Sequence, residues 1–398
     1  MYQILSSPQQ IPMTTSPIDV VPWRLSCSAC NTEALMVGAS ICTSCGQPLF
    51  ARYSPVPVGT PLAPRWDAWR YAPFMPLLPG EVPVSLGEGL TPLRESPTLA
   101  DAVGVRRLWI KDEGQNPTVS FKARGMSAAV TRARGAGVPG LVVPTAGNAG
   151  AALAAYGAAA GIPVRVFAPA TTPRPILDTI EAMGATLIRI DGHIGDAGKL
   201  AIAYAAETGY FNVSTLREPY RVEGMKTMGF ELAEQLGWRV PDVIVYPTGG
   251  GEGTIGIWKA ISELLAGGWL PAGSKQPAYV VAQAAGCAPI ARAFAAGQSK
   301  AEPWLNPMTY ASGLRVPSPL GDQLLLRILR EAGGVAATAT EDAIRTWTRT
   351  LSVATGIDAA PEGGCALSVL RDAVTQGTIA RTAEVALFNT GAGASYRV

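Results

Sequence analysis

The sequence predicts an α/β fold with largely parallel strands, divided into two lobes around a ligand cleft. Short apolar runs occur at 108–110, 141–143, 164–167, 186–190, 243–246, 280–282 and 385–388, with helical stretches between most of them, at 149–160, 176–183, 198–208 and 222–236. Such alternation places parallel strands in a layer with helices on its faces. The strands are too many for one tidy sheet, so two sheets are expected, with a ligand between them. Composition agrees: 48% of the 398 residues are hydrophobic and 16% charged, which suits a globular enzyme and not a disordered chain. The formal net charge is +2 and no long basic run occurs, which argues against nucleic acid as the main partner.

Taken in order, residues 1–22 are polar and Pro-rich and read as an N-terminal arm. The opening MYQILSSPQQ has neither the charged nor the apolar segment of a signal peptide, so a soluble cytoplasmic protein is expected. Residues 23–52 form a zinc-ribbon-like segment. Cys27 and Cys30 make one CxxC pair and Cys42 and Cys45 a second, which together offer four thiolates to one tetrahedral ion. Gly46 suits the tight turn that aims backbone amides at a thiolate. With all four positions filled by Cys the site would be structural; disulfides or free thiols are the alternative. Almost no Lys or Arg accompanies the cysteines, which argues against a nucleic-acid-binding ribbon. Residues 53–81 are a Pro- and Trp-rich connector expected to wrap the body of 82–398, whose smaller lobe lies at roughly 126–220. The Gly-punctuated VSLGEGLTPLRES, with Leu90 and Pro92, leads into that body. The uncharged stretch 135–164 is broken by Pro139, Pro144 and Pro163 and is rich in Ala and Gly. It reads as a buried strand, loop and helix, and no membrane partner is expected.

Three stretches carry chemistry. The first, WIKDEGQNPTVSFKARG (109–125), puts Lys122 after Ser120 and Phe121, at the start of a helix expected over 125–134. Partial desolvation would keep such an amine neutral and nucleophilic, although a lone Lys is more often a solvated charge. The second, VVPTAGNAGAALAAYGAAAG, is a strand, a small-residue turn with Thr145, Gly147 and Asn148, and an Ala-rich helix. Small residues let helix N-terminal amides approach a carboxylate or a ring, and Asn148 can hydrogen-bond a phenolic oxygen. The third, VIVYPTGGGEGTIGIWKA, sets Gly249, Gly250, Gly251 and Gly253 between a strand and a helix, a cradle for a dianion. No GK[ST] follows, so it is not a P-loop, and it is not the usual GxGxxG turn. A phosphate cradle without a Lys or a magnesium ligand suits a permanently held phosphate. A reactive Lys, an Asn turn and such a loop together fit pyridoxal 5'-phosphate.

The order and wording of these stretches resemble threonine synthase, in the tryptophan-synthase-β-like, fold-type II class of pyridoxal-phosphate enzymes. The resemblance runs from Cys27 to Tyr396 through the double CxxC, VSLGEGLTPL, IKDEGQNPTVSFKARGM, PTAGNAGAALAAYGAAAGI, TLREPYRVEGMKTMGFELAEQLG, VYPTGGGEGTIGIWKA, APEGGCAL and FNTGAGASY. It implies that Lys122 holds the cofactor covalently and that Asn148 faces its ring oxygen. Gly249, Gly250, Gly251, Gly253 and Thr254 would bind its phosphate, and Thr390 would face the pyridine nitrogen. A hydroxyl leaves that nitrogen largely unprotonated, which suits elimination and replacement over transamination. The implied reaction is γ-elimination of phosphate from O-phospho-L-homoserine followed by addition of water at Cβ, giving L-threonine, in a homodimer. Thr145, Ala149 and Arg221 would meet the substrate, a small-molecule amino acid. Three positions depart from the family pattern: Ala123 replaces an Asp, Ala149 a hydroxyl residue of the substrate turn, and Glu252 a small or hydroxyl residue of the phosphate loop. The runner-up is therefore another elimination or replacement on a hydroxy- or phospho-amino acid. A non-catalytic amino-acid sensor is a reading from another class, opposed by the intact Lys122 and glycine loop. Arg221 could instead be a helix N-terminal surface charge. His193 is expected to have no catalytic role, Asp112 and Glu113 no joint one, and Cys365 to be packing.

Overall fold

The computed structural model describes residues 21–35 and 40–397, so the arm expected over 1–22 lies almost entirely outside the described residues. The four-cysteine segment is a small antiparallel sheet of β1 (Trp23–Cys27), β2 (Glu33–Ala34) and β3 (Leu49–Tyr53), in the order β2-β1-β3. The chain then runs along the body and buries Trp69, Tyr71 and Phe74 in it.

The body begins with β4 (Leu93–Glu95), α1 (Pro97–Val103), β5 (Arg107–Asp112) and α2 (Lys122–Gly135). Next come β6 (Leu141–Pro144), α3 (Asn148–Ala160), β7 (Val164–Pro169), α4 (Arg174–Ala182), β8 (Thr186–Ile190), α5 (Ile194–Thr208) and β9 (Phe211–Asn212). The chain continues with α6 (Arg221–Gln235), β10 (Val243–Pro247), α7 (Glu252–Ala266), β11 (Ala278–Ala284), α8 (Pro289–Ala295) and α9 (Asp322–Glu331). It ends with β12 (Val335–Ala339), α10 (Glu341–Thr355), α11 (Pro361–Thr375) and β13 (Glu384–Asn389). Two sheets result, as expected. The larger is β12-β11-β10-β13-β5-β4, parallel except for β4; the smaller is β8-β7-β6-β9, parallel throughout. The Val-, Ile- and Leu-rich runs of β10, β11 and β13 are buried on both faces, as parallel strands between helices must be. The helix foreseen over 125–134 begins three residues earlier, so that Lys122 is its first residue. Among the described residues no helix is long and apolar enough to cross a membrane.

Two features fix α2, the helix that carries Lys122. One is steric. A Cβ on Gly224 would collide with the carbonyl of Arg124 and come within 2.8 Å of Gly125 Cα, so α2 and α6 touch backbone to backbone. The other is electrostatic. Arg124 Nε meets Glu113 Oε2 at 2.6 Å and its Nη1 meets Glu231 Oε2 at 2.8 Å, while Lys111 Nζ also pairs with Glu231; the charged side chains are fully buried. Buried charges at such cost must be paired on every side, and here the pairs tie β5, α2 and α6 together.

Candidate active site

Lys122, Asn148, the glycine loop and Thr390 come together. They line one cavity with Phe121, Thr215, Tyr246, Thr248, Gly313, Glu362 and Tyr396. The cavity adjoins a wider cleft lined by Thr145, Ala149, Lys199, Arg217 and Arg315, among others; Lys122, Asn148, Thr215, Gly250 and Gly313 line both.

The turn before α2 aims Lys122. Phe121 N–H donates to Thr390 O at 3.1 Å, which ties the lysine to the end of β13. The Lys122 amine lies 4.2 Å from the centre of the Phe121 ring and 3.6 Å from Glu252 Oε2. Burial draws it down to about 8, with Glu252 pulling it up and Arg221 pushing it down. Such an amine is partly neutral near physiological pH, as a nucleophile or general base requires.

The glycine loop is built for close approach. A Cβ at Gly249 would collide with the carbonyl of Gly313, one at Gly250 would come within 2.9 Å of Thr215 Cγ2, and Gly251 has φ +86°. The helix α7 that follows has no side-chain cap at its N-terminus. Its first-turn amides lack intrahelical acceptors and favour an anion. Thr254 is buried, its Oγ1 3.2 Å from Thr248 Oγ1. A small-residue cradle at an uncapped helix end fits a phosphate group, and a partly neutral lysine in the same cavity fits its aldehyde. The residues present therefore fit pyridoxal phosphate.

The remaining expected residues divide. Asn148 is the first residue of α3. Thr145 lines the cleft, but its hydroxyl is occupied: it donates to Gly147 O at 2.6 Å and accepts from the amides of Gly147 and Gly150 at 3.1 and 3.2 Å. It shapes the turn. Ala149 lines the cleft with a side chain that offers no hydrogen-bonding group. Arg221 is neither a surface charge nor a lining residue of the cavity or the cleft. It is wholly buried, with Nη1 on Val213 O at 2.7 Å and Nη2 on Glu252 Oε2 at 2.7 Å. The direct substrate contact expected of it is thus replaced by a contact with the chain's own carboxylate. Glu252 does not turn away from the cavity; it reaches toward Lys122. Asn389 holds the β13 end in place, donating to Asp112 Oδ1 at 2.9 Å and accepting from Ala360 N–H at 3.2 Å.

Several lining residues were not foreseen. Thr215, Glu362 and Tyr396 lie in the stretches TLREPY, APEGGCAL and FNTGAGASY, but nothing local in those stretches marks these side chains as facing a shared cavity. Tyr396 donates to Glu362 Oε1 at 2.6 Å, and burial pushes the Glu362 carboxyl up. His193 is exposed, before α5, and lines neither space. Cys365 is buried in α11, and burial pushes its thiol up, as for a packing residue. Asp112 caps a turn through Gly114 N–H, whereas Glu113 pairs with Arg124, so the two carboxylates do not act together.

The four cysteines form a cluster. Their sulfurs all lie within 4.8 Å of one another, with Cys27–Cys45 at 3.4 Å, Cys30–Cys45 at 3.5 Å and Cys30–Cys42 at 3.6 Å. Zinc–sulfur bonds of about 2.3 Å in a tetrahedron set sulfurs slightly under 4 Å apart, so the cluster fits that ion.

The family described as "Pyridoxal-phosphate dependent enzyme" matches residues 84–391. The threonine synthase of Methanosarcina acetivorans is 36% identical over 327 residues, 82% of this chain and 79% of that protein. That of Methanocaldococcus jannaschii is 33% identical over 82% of this chain and 80% of its own length. The solved structure of maize serine racemase superposes with a TM-score of 0.65 at 22% identity, covering 76% of this chain and 88% of that one. Diaminopropionate ammonia lyase from Escherichia coli gives 0.66 at 20% identity, covering 79% and 88%. At such identities these two structures establish the fold alone.

Proposed function

The chain belongs to the pyridoxal-phosphate dependent enzyme family, and we propose that it works as a threonine synthase, converting O-phospho-L-homoserine to L-threonine with Lys122 as the catalytic residue. It is a pyridoxal-phosphate-dependent lyase of the threonine-synthase kind. The observation that carries the residue assignment is the meeting of the Lys122 amine, the glycine loop and Thr390 in one cavity. The bound cofactor would supply an electron sink for the pair left when the substrate Cα–H bond breaks. Gly249, Gly250, Gly251, Gly253 and Thr254 would hold its phosphate, Asn148 would face its ring oxygen and Thr390 its ring nitrogen. Lys122 Nζ, once released, takes the Cα proton and returns protons where the reaction needs them. The adjoining cleft suits a substrate with a leaving phosphate: Lys199, Arg217 and Arg315 line it, and among the described residues no Asp or Glu does. With Lys122 that makes four basic side chains around one cleft, of which Lys199 is also paired with Asp196 at 3.2 Å, and such a set attracts a dianion.

A second reading, elimination or replacement on another hydroxy- or phospho-amino acid, is favoured by Ala149, which gives the cleft no hydroxyl. Phosphate release from O-phospho-L-homoserine, measured beside ammonia release from serine and threonine, separates the two. Lys122→Ala should abolish both the cofactor's absorbance near the edge of the visible range and all turnover; a variant that kept either would sink the assignment. Structural zinc at Cys27, Cys30, Cys42 and Cys45, a homodimer and a cytoplasmic place of action belong to the same proposal. The sulfur distances support the first, and the kind of enzyme its relatives are named for supports the others.

A further inference from the structure

The glycine loop carries a carboxylate into its own anion cradle. Glu252 opens α7, is 2% exposed and lines the cavity. Its Oε2 lies 2.7 Å from Arg221 Nη2 and 3.6 Å from Lys122 Nζ. Its Oε1 is shut off from solvent and has no hydrogen-bond partner. A buried carboxylate oxygen without a donor is costly, and native proteins keep few of them. Its position explains what offsets the cost. The N-terminus of α7 favours negative charge, and Arg221 and Lys122 add two cations. Other ionisable groups nearby are Glu218, which caps α6 through the amides of Tyr220 and Arg221, Tyr246, whose phenol burial and the Glu113 and Glu252 carboxylates push up, and the hydrogen-bonded pair Glu362 and Tyr396 in the lining of the same cavity.

We propose that Glu252 is a resident counter-anion of the phosphate cradle: it holds Lys122 and Arg221 until a phosphate arrives, and competes with that phosphate for the site. The inference rests on the reading of this cavity as the pyridoxal-phosphate site. A phosphate entering the loop brings like charge against Glu252, and one of the carboxylate's two ion contacts must yield. The 2.7 Å contact to Arg221 is the shorter and is wholly buried, so the 3.6 Å contact to Lys122 is given up. Phosphate entry thereby frees the Lys122 amine from its counter-ion at the moment the cofactor aldehyde reaches it. Glu252 acts through Lys122 and Arg221 and is a positioning residue.

The test uses the full-length protein stripped of cofactor and titrated with inorganic phosphate by calorimetry. Glu252→Gln should bind phosphate about tenfold more tightly than the wild type, the worth of removing one like charge at this range. Glu252→Asp, which keeps the charge, should not. A purely structural role for Glu252 would leave phosphate affinity unmoved. The wild type gives a second measurement that does not depend on a variant folding: pyridoxal, which lacks the phosphate, should condense with Lys122 faster when inorganic phosphate is added. Equal or weaker phosphate binding by Glu252→Gln, or a condensation rate that phosphate leaves unchanged or slows, overturns the proposal. Pyridoxal phosphate titrated in parallel keeps the two ideas apart. A wild type that forms no chromophore refutes the reading of the cavity; one that forms it while either phosphate test fails refutes only the role of Glu252.

Discussion

Burial sets the chemistry of Lys122. An amine drawn down to about 8 is mostly protonated at neutral pH, and its neutral fraction grows about tenfold per pH unit below that value. Capture of pyridoxal phosphate should therefore speed up with rising pH and level off above about 8; stopped-flow absorbance checks this, and a rate that kept rising to the ordinary lysine range would contradict it. The same shift acts on stability. The unfolded chain titrates this amine near 10.5, so between 8 and 10.5 it binds more protons than the folded one, and stability rises with pH through that window. At this scale much of the site is legible in the sequence. Lys122, Asn148 and the four loop glycines each lie inside a local pattern whose chemistry is visible without a fold. The fate of Arg221 is not visible, because its partner Glu252 is 31 residues away and only the packing of α6 on α7 brings the two together.

The elements vary in how much of themselves they announce. Strands β10, β11 and β13 are continuous apolar runs and are legible at once. Strand β12, VAATA, has no bulky apolar residue beyond Val335; α10 by contrast sets Ile344, Trp347 and Leu351 at helical spacing, a stripe open to reading from the sequence although only Ile344 and Leu351 are fully buried. Helix α11 is hard to read for another reason: it is buried almost all round and carries two glycines in its first turn, so no polar face marks it. The cysteine segment is a further case. Three short strands cannot build a core alone, and metal ligation is the usual remedy. Elemental analysis should find about one zinc per chain in the wild type and much less in Cys30→Ser, with a lower melting temperature in the variant. A metal-free wild type of equal stability would contradict the assignment.

Across the whole molecule, the buried charges that join β5, α2 and α6 decide how it withstands acid. Burial alone would raise the Glu231 carboxyl, but Arg124 and Lys111 hold it down to about 2. Its folded value lies below the unfolded 4.5, so its contribution is complete above 4.5 and is lost as pH falls toward 2. Replacing it with Gln leaves two buried cations under-compensated. Glu231→Gln should cost about 3–5 kcal/mol in urea unfolding at neutral pH and much less in acid. An equal cost under both conditions would mean that its charge is not what matters. The two-sheet architecture is legible from strand and helix alternation, whereas the strand order is not, since it depends on pairings between distant segments.

That order has a consequence for how the protein comes into being. Strand β13 lies between β10 and β5, and Asn389 bonds to Asp112 across 277 residues. While a ribosome is still translating the intervening chain, the facing edges of β5 and β10 wait without their neighbour and are open to mispairing. The larger sheet closes only when the nascent polypeptide has reached residue 389, and the threonine that follows it enters the cavity in that same late event.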